Sequence, residues 1–115
     1  MIIKIKNLRL KTIIGIYDFE QNFDREIIIN AQIHTDFDKA KFSNDIKDTI
    51  DYDVIIKQIK ALVASKKFQL IEGLAQEILQ LIMQNEKVSK CTLELDKVGV
   101  VECVDSFSII LTEER

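Results

Sequence analysis

The sequence predicts an α+β domain in which two strands, two helices and two further strands follow one another along the chain. Apolar residues alternate with polar ones near both ends, as in half-buried strands, whereas two middle segments repeat apolar residues at helical spacing. Because antiparallel hairpins then flank a helix pair, we expect a four-stranded antiparallel sheet with both helices on one face. The length of 115 residues, with 47% hydrophobic and 30% charged residues, predicts one globular domain spanning 1–115.

Composition and charge argue against several classes of function. A formal net charge of -3 disfavours nucleic acid as a partner, because phosphate binding requires a basic surface. There is neither an apolar run long enough for a membrane span nor a signal peptide, so we expect a cytoplasmic protein without a membrane partner. Cys91 and Cys103 lack the spacing of a disulfide framework and are predicted to be buried or half-buried thiols. With His34 as the only histidine, no metal site and no cofactor are expected.

The first strand is predicted over residues 2–14. Its apolar side chains occupy odd positions at Ile3 and Ile5 and even positions from Leu8 onward. A β-bulge moves the following side chains to the other face, so this change of phase predicts a bulge at Lys6–Asn7.

The connection after Gly15, residues 16–25, is longer than a tight hairpin requires. Long connections of this kind often carry binding groups, which makes Glu20 a candidate site residue. The second strand is predicted over 26–35, with its apolar side chains on odd positions. His34 falls on the polar phase, which favours an exposed strand histidine over a functional one.

The middle of the chain predicts two helices after a charged linker at 36–50. Asp51 is placed to cap the first helix, at 52–66. The second helix is predicted at 70–85, and one apolar stripe runs along it through Ile71, Leu74, Ala75, Ile78 and Ile82.

Glu72 and Gly73 fit the second helix poorly. A glycine inside a helix costs about 1 kcal/mol relative to alanine, which suggests that something approaches the backbone closely there. A first-turn carboxylate lies near the positive end of the helix dipole, which favours its ionised form. An ionised, partly buried Glu72 would suit a ligand that presents paired N–H donors. The alternative is a solvated glutamate beside a tolerated glycine.

The last two strands are predicted at 90–97 and 103–112. In the first of them Lys97 falls on the apolar phase, at the strand end. A lysine that points toward a buried layer is a candidate for proton transfer, and the alternative is a terminal lysine that reaches back into solvent. A four-stranded sheet leaves two open edges, and pairing them with other subunits would close a ring.

The chain resembles the dihydroneopterin aldolase family, including its dihydroneopterin triphosphate 2′-epimerase branch. The resemblance covers the whole chain and rests on four segments in register: Gly15 to Glu20, Asp48-Thr49-Ile50-Asp51-Tyr52, Leu70-Ile71-Glu72-Gly73-Leu74-Ala75 and Asp96-Lys97. Ile13-Ile14 precedes the glycine where aldolases usually have Tyr-His, and no proline follows the strand-end lysine. Both departures resemble the epimerase branch. The resemblance implies the tunnelling fold, with subunits joined into a multi-subunit barrel as a tetramer ring or an octamer.

The resemblance also implies a pterin as the small-molecule substrate, bound between subunits. Glu72 would accept the paired N–H groups of the pterin, with the Ile71 backbone beside it. Tyr52 from a neighbouring subunit would cover the ring, and Ile50 would complete the substrate contacts.

The implied reaction is retro-aldol cleavage of 7,8-dihydroneopterin in folate biosynthesis, epimerisation at C2′, or both, without a metal. Lys97 would act as the acid/base group, Glu20 would hold that lysine and also contact substrate, and Tyr52 would assist proton transfer. The competing hypothesis is a non-enzymatic α+β ligand-binding or oligomerisation module.

Overall fold

The computed structural model describes residues 1–115 and confirms the predicted order of the main elements. The strands are β1 (Ile2–Thr12), β2 (Arg25–His34), β3 (Lys90–Val98) and β4 (Ser106–Glu114). The helices are the short α1 (Ala40–Ser43) and the longer α2 (Tyr52–Ser65) and α3 (Ile71–Met83), with 3-10 turns at Glu20–Asn22 and Ile46–Asp48.

The sheet has the strand order β1-β2-β3-β4, and every neighbouring pair is antiparallel. The register of β1 against β2 shifts between Ile5 and Leu8, which confirms the predicted bulge. Asn7 adopts a left-handed φ of 54° there, and its N–H donates to the Asn30 side-chain oxygen at 2.9 Å. This bulge keeps apolar side chains on the helix-covered face along the whole of β1.

The core lies between the sheet and the two longer helices. The odd-numbered apolar residues of β2 are buried as predicted, and so is the apolar stripe of α3, which packs against β3 and β4 in the same core. Asp51 accepts hydrogen bonds from the Asp53 and Val54 N–H groups, which confirms it as the cap of α2. These contacts set the direction in which α2 leaves the linker.

The linker at 36–50 is more ordered than its sequence indicates. It holds α1 and the second 3-10 turn, both too short to show a period in the sequence. The Lys87 ammonium donates to the Lys47 carbonyl at 2.7 Å and to the Thr49 carbonyl at 3.0 Å. Lys87 therefore fixes the end of the linker, and with it the start of α2, against the turn that follows α3.

The start of the last strand was predicted wrongly at 103. Strand β4 begins at Ser106, because the chain turns through Gly99 and Cys103, whose φ angles are 70° and 69°. Cys103 is exposed, so its predicted burial is also wrong. Cys91 is buried as predicted, and burial, together with the Glu113 carboxylate, raises its pKa to about 12.

Both outer strands have one edge without a partner in the chain, namely β1 and β4. Several large apolar side chains are also exposed, among them Ile16, Tyr17, Phe19, Phe23, Phe42 and Leu70. None of the helices combines the length and the apolar content needed to cross a bilayer.

Candidate active site

The candidate site is centred on an ion pair between Lys97 and Glu20. Lys97 lies near the end of β3 and pairs in register with Ile27, a fully buried residue of the core-facing phase. Its Nζ lies 3.3 Å from Glu20 Oε2, and the two side chains are only 14% and 8% exposed. The prediction that Lys97 points toward the buried side is therefore right.

The Glu20 carboxylate is held by the turn that contains it. Glu20 opens the first 3-10 turn, and its Oε1 accepts a hydrogen bond from the Tyr17 N–H at 3.3 Å. Gly15, at φ 148°, lies directly against it: a Cβ at position 15 would lie 2.4 Å from the Glu20 Cβ and Cδ. Only glycine leaves room for this carboxylate, which gives Gly15 a role beyond ending the strand.

The Glu20 carboxylate is ionised in spite of its burial. Burial acts to raise its pKa, but the Tyr17 N–H, the Lys97 ammonium and the Arg25 guanidinium outweigh that effect and hold the pKa below its ordinary value. The site therefore combines a fixed anion with a lysine that can donate a proton as the ammonium and accept one as the amine. This pairing is suited to general acid/base chemistry.

Main-chain hydrogen bonds join the loop at Gly15 to the segment that precedes α3. The Gly15 N–H donates to the Phe68 carbonyl at 3.0 Å, and the Phe68 N–H donates to the Ile13 carbonyl at 3.2 Å. The Gln21 side-chain amide donates to the carbonyls of Gly15 and Phe68. Because α3 begins three residues after Phe68, these bonds hold Ile71 near the Glu20 turn.

Glu72 lies in the first turn of α3, with Ile71 buried before it. The Glu72 side chain is exposed, so the predicted partial burial is not present in the single chain. Leu70 provides no side-chain cap, which leaves N–H groups of the first turn without an acceptor. A Cβ at Gly73 would meet nothing within 4 Å, so no contact in the chain requires glycine there. Glu72 is therefore free to meet a ligand or another subunit.

Tyr52 and Ile50 lie far from the other predicted site residues within one chain. The Thr12 hydroxyl donates to the Val63 carbonyl at 3.4 Å, which places the C-terminal end of α2 beside the end of β1. Tyr52 begins this helix of 14 residues, so it lies about 20 Å away along the axis. Tyr52 is exposed, whereas the Ile50 side chain is fully buried in its own core. Ile50 could therefore contact a ligand only through its main chain.

Gln21 and Arg25 also lie close to Glu20, although neither was predicted from the sequence as a site residue. Gln21 lies in a polar connection and interrupts no hydrophobic period, so periodicity offers no signal for it. Arg25 does leave a signal, because it continues the alternation of β2 on the core-facing side, where a charged residue is unusual.

The profile of the family described as dihydroneopterin aldolase matches residues 3–112 of this chain. The chain is 40% identical over 114 residues to a dihydroneopterin triphosphate 2′-epimerase of Escherichia coli strain K12, covering 99% of this chain and 95% of the relative. It is 27% identical over 110 residues to a dihydroneopterin aldolase of the same strain, covering 96% of this chain and 90% of the relative.

A solved structure of Escherichia coli dihydroneopterin aldolase in complex with neopterin superimposes with a TM-score of 0.93 at 26% identity, covering 98% of both chains. The tunnelling fold predicted from the sequence is thereby confirmed for the single chain.

Proposed function

This chain belongs to the dihydroneopterin aldolase family of enzymes, and from that premise we propose that it breaks and re-forms the C1′–C2′ bond of a 7,8-dihydroneopterin side chain. The observation that carries the proposal is the buried contact of 3.3 Å between Lys97 and Glu20 at the end of β3. A lysine held by an ionised carboxylate can take up a proton as the amine and return it as the ammonium.

The substrate itself supplies the electron sink for this reaction. A base removes the proton of the C2′ hydroxyl, the C2′–O bond becomes a carbonyl, and the C1′–C2′ pair of electrons moves onto C1′. The C6–N5 double bond of the dihydropterin accepts that pair onto N5. The protein therefore has to supply orientation and proton transfer, not an imine or a metal.

In this proposal Lys97 exchanges the protons at the C2′ hydroxyl and at N5, acting through a water molecule. Glu20 holds the lysine and contacts the substrate. Glu72 accepts the paired N–H groups of the pterin, beside the Ile71 backbone. The exposure of the Glu72 carboxylate and its link to the Glu20 turn through Phe68 support this role.

Two outcomes share these steps. Protonation of C1′ releases 6-hydroxymethyl-7,8-dihydropterin and glycolaldehyde, whereas turning of the glycolaldehyde carbonyl before the bond re-forms inverts C2′. The identity of 40% to an epimerase, against 27% to an aldolase from the same organism, favours net epimerisation of the triphosphate as the main activity. We place the enzyme in the cytoplasm, where the free thiols Cys91 and Cys103 would remain reduced.

Incubation with 7,8-dihydroneopterin and, separately, with its triphosphate tests the proposal. Chromatography that resolves the cleaved product from the C2′ epimer is expected to show inversion of the triphosphate, with cleavage of the unphosphorylated compound as the slower reaction. Full recovery of both compounds unchanged would disprove the proposed reaction.

We further propose that the protein forms a ring of subunits in which Tyr52 and the main chain of Ile50 complete the site of a neighbour. The distance of about 20 Å between Tyr52 and the C-terminal end of α2 supports this arrangement, because one chain cannot bring both groups to one ligand. The unpaired edges of β1 and β4 supply the surfaces that a ring would join.

Light scattering at micromolar concentration is expected to give the mass of a tetramer or an octamer of the 13.3 kDa chain. A mass of one chain only would contradict the assembly. It would not contradict the roles proposed for Lys97 and Glu20.

A further inference from the structure

We propose that Arg25 forms an anion subsite beside the Lys97–Glu20 pair and binds the first phosphate of a phosphorylated substrate side chain. The inference rests on the proposed function, since it concerns the substrate class of the same site. Arg25 would then be the residue that makes the enzyme prefer dihydroneopterin triphosphate over unphosphorylated dihydroneopterin.

The register of the sheet places Arg25 next to the ion pair. Ile27 pairs with Lys97 across β2 and β3, and Arg25 lies two residues before Ile27 on the same face. Diagonal neighbours of this kind have their side chains about 7–8 Å apart at the base. Arg25 Nη1 reaches the Gly99 carbonyl at 3.4 Å, just beyond the end of β3. The guanidinium therefore lies at the end of β3 where the Lys97 ammonium lies.

The hydrogen-bonding capacity of the guanidinium is largely unused. Of its five N–H donors, only Nη1 has an acceptor in the chain, at the long distance of 3.4 Å. The Arg25 Nε is buried and has no hydrogen-bond partner at all. Buried donors of this kind are rare in native structures, and each calls for an explanation such as an absent ligand.

Two neighbouring carboxylates, those of Glu20 and Glu26, are already engaged. Glu20 accepts from Lys97 and from the Tyr17 N–H. Glu26 points to the opposite face, where it pairs with Arg9 at 2.8 Å. The acceptor that would complete the guanidinium of Arg25 therefore has to come from outside this set of groups.

The local charge suits an anion. Lys97 and Arg25 are two cations around one carboxylate, Glu20, so the cluster carries one positive charge in excess. The uncharged trihydroxypropyl side chain of 7,8-dihydroneopterin has no negative charge to pair with that excess. In a phosphorylated side chain the first phosphorus follows C2′ after C3′ and one oxygen, so its oxygens lie a few ångström from the atoms on which Lys97 acts. Guanidinium groups bind such oxygens through two parallel hydrogen bonds.

The test compares Arg25→Gln and Arg25→Lys with the wild type on both substrates. For Arg25→Gln, kcat/KM for the triphosphate is expected to fall about 10- to 100-fold, the usual effect of losing a charge-assisted contact. For 7,8-dihydroneopterin the loss in kcat/KM should be clearly smaller, because Arg25 acts on that reaction only through its weak electrostatic effect on Glu20. Arg25→Lys keeps the charge but loses the paired donors. Its kcat/KM for the triphosphate should therefore lie between those of the wild type and Arg25→Gln.

Arg9→Gln is the matched control, because it removes the same charge from the open face of the sheet, where Arg9 is 61% exposed. It should leave the preference for the triphosphate unchanged. Equal losses on both substrates in Arg25→Gln, with an unaltered preference, would show that Arg25 only supports Glu20 and would overturn the subsite. Thermal unfolding of each variant identifies any loss of activity that is caused by a destabilised fold.

Titration with inorganic triphosphate separates the subsite from the proposed reaction. The wild type and Arg9→Gln should bind it, and Arg25→Gln should bind about tenfold or more weakly. If the wild type converts neither pterin but shows this difference, the reaction is wrong and the subsite stands. If binding is absent, or equal in all variants, the subsite is wrong whatever the wild type converts.

Discussion

Replacement of Lys97 with alanine is expected to lower the rate of the chemical step by about 10²–10⁴-fold, the usual contribution of one positioned proton-transfer group. Pterin affinity should change by only a few-fold, because Lys97 acts at the side chain and not at the ring. Cleavage and epimerisation should fall together, since both begin with loss of the C2′ hydroxyl proton. Single-turnover kinetics with each substrate measures this effect apart from binding.

Lys90→Ala is the matched control for this variant. Lys90 lies at the other end of β3 and forms only a long surface contact of 4.0 Å with Glu114, so activity should be unaffected. Borohydride added with substrate to the wild type should leave no covalent adduct, because Lys97 is not an imine-forming nucleophile in this mechanism. A trapped adduct, or loss of cleavage with epimerisation intact, would refute the shared proton-transfer role.

Replacement of Glu72 with alanine is expected to abolish measurable pterin binding while the fold stays intact. The loss of a charged acceptor of paired hydrogen bonds should cost about 2–4 kcal/mol in affinity. The fold should be preserved because Glu72 is exposed on the first turn of α3. Calorimetric titration with neopterin, together with thermal unfolding of the free protein, measures both quantities.

Glu77→Ala provides the comparison on the same helix. Glu77 also carries a carboxylate on α3, which is half-buried and pairs with Lys66 at 2.8 Å, so its removal should leave neopterin affinity unchanged. Equal affinities of the Glu72→Ala variant and the wild type would mean that Glu72 is an ordinary first-turn residue.

Much of the fold could be predicted because burial imposes a period on the sequence. The alternation in β2 and the stripe on α3 each mark a face that meets the core. The bulge was recognisable for the same reason, since the change of phase between Ile5 and Leu8 is a change of buried face. Where burial imposes no period, as in the linker at 36–50 and before Ser106, the boundaries could not be predicted.

The candidate site was predictable only in part. Lys97 interrupts an apolar phase and so is visible in the sequence, and the resemblance identified Glu20 and Glu72. The contact of Gly15 with Glu20 and the unused donors of Arg25 depend on how distant segments pack. No local pattern encodes such contacts, because they arise only when the loop after β1 meets the ends of β2 and β3.

The ion pair at the centre of the site also has a consequence for folding. Glu20 and Lys97 are separated by 77 residues, whereas each hairpin, β1 with β2 and β3 with β4, closes locally. The Glu20 carboxylate and the Lys97 ammonium meet only when β2 pairs with β3, which closes a loop that contains the helices. Closing so long a loop is entropically costly and slow. Consider a chain in which both hairpins and the helices have formed but β2 has not yet paired with β3. Such a chain would have much of its secondary structure but would lack the proton-transfer pair. Return of catalysis during refolding would therefore report the joining of the two halves of the sheet.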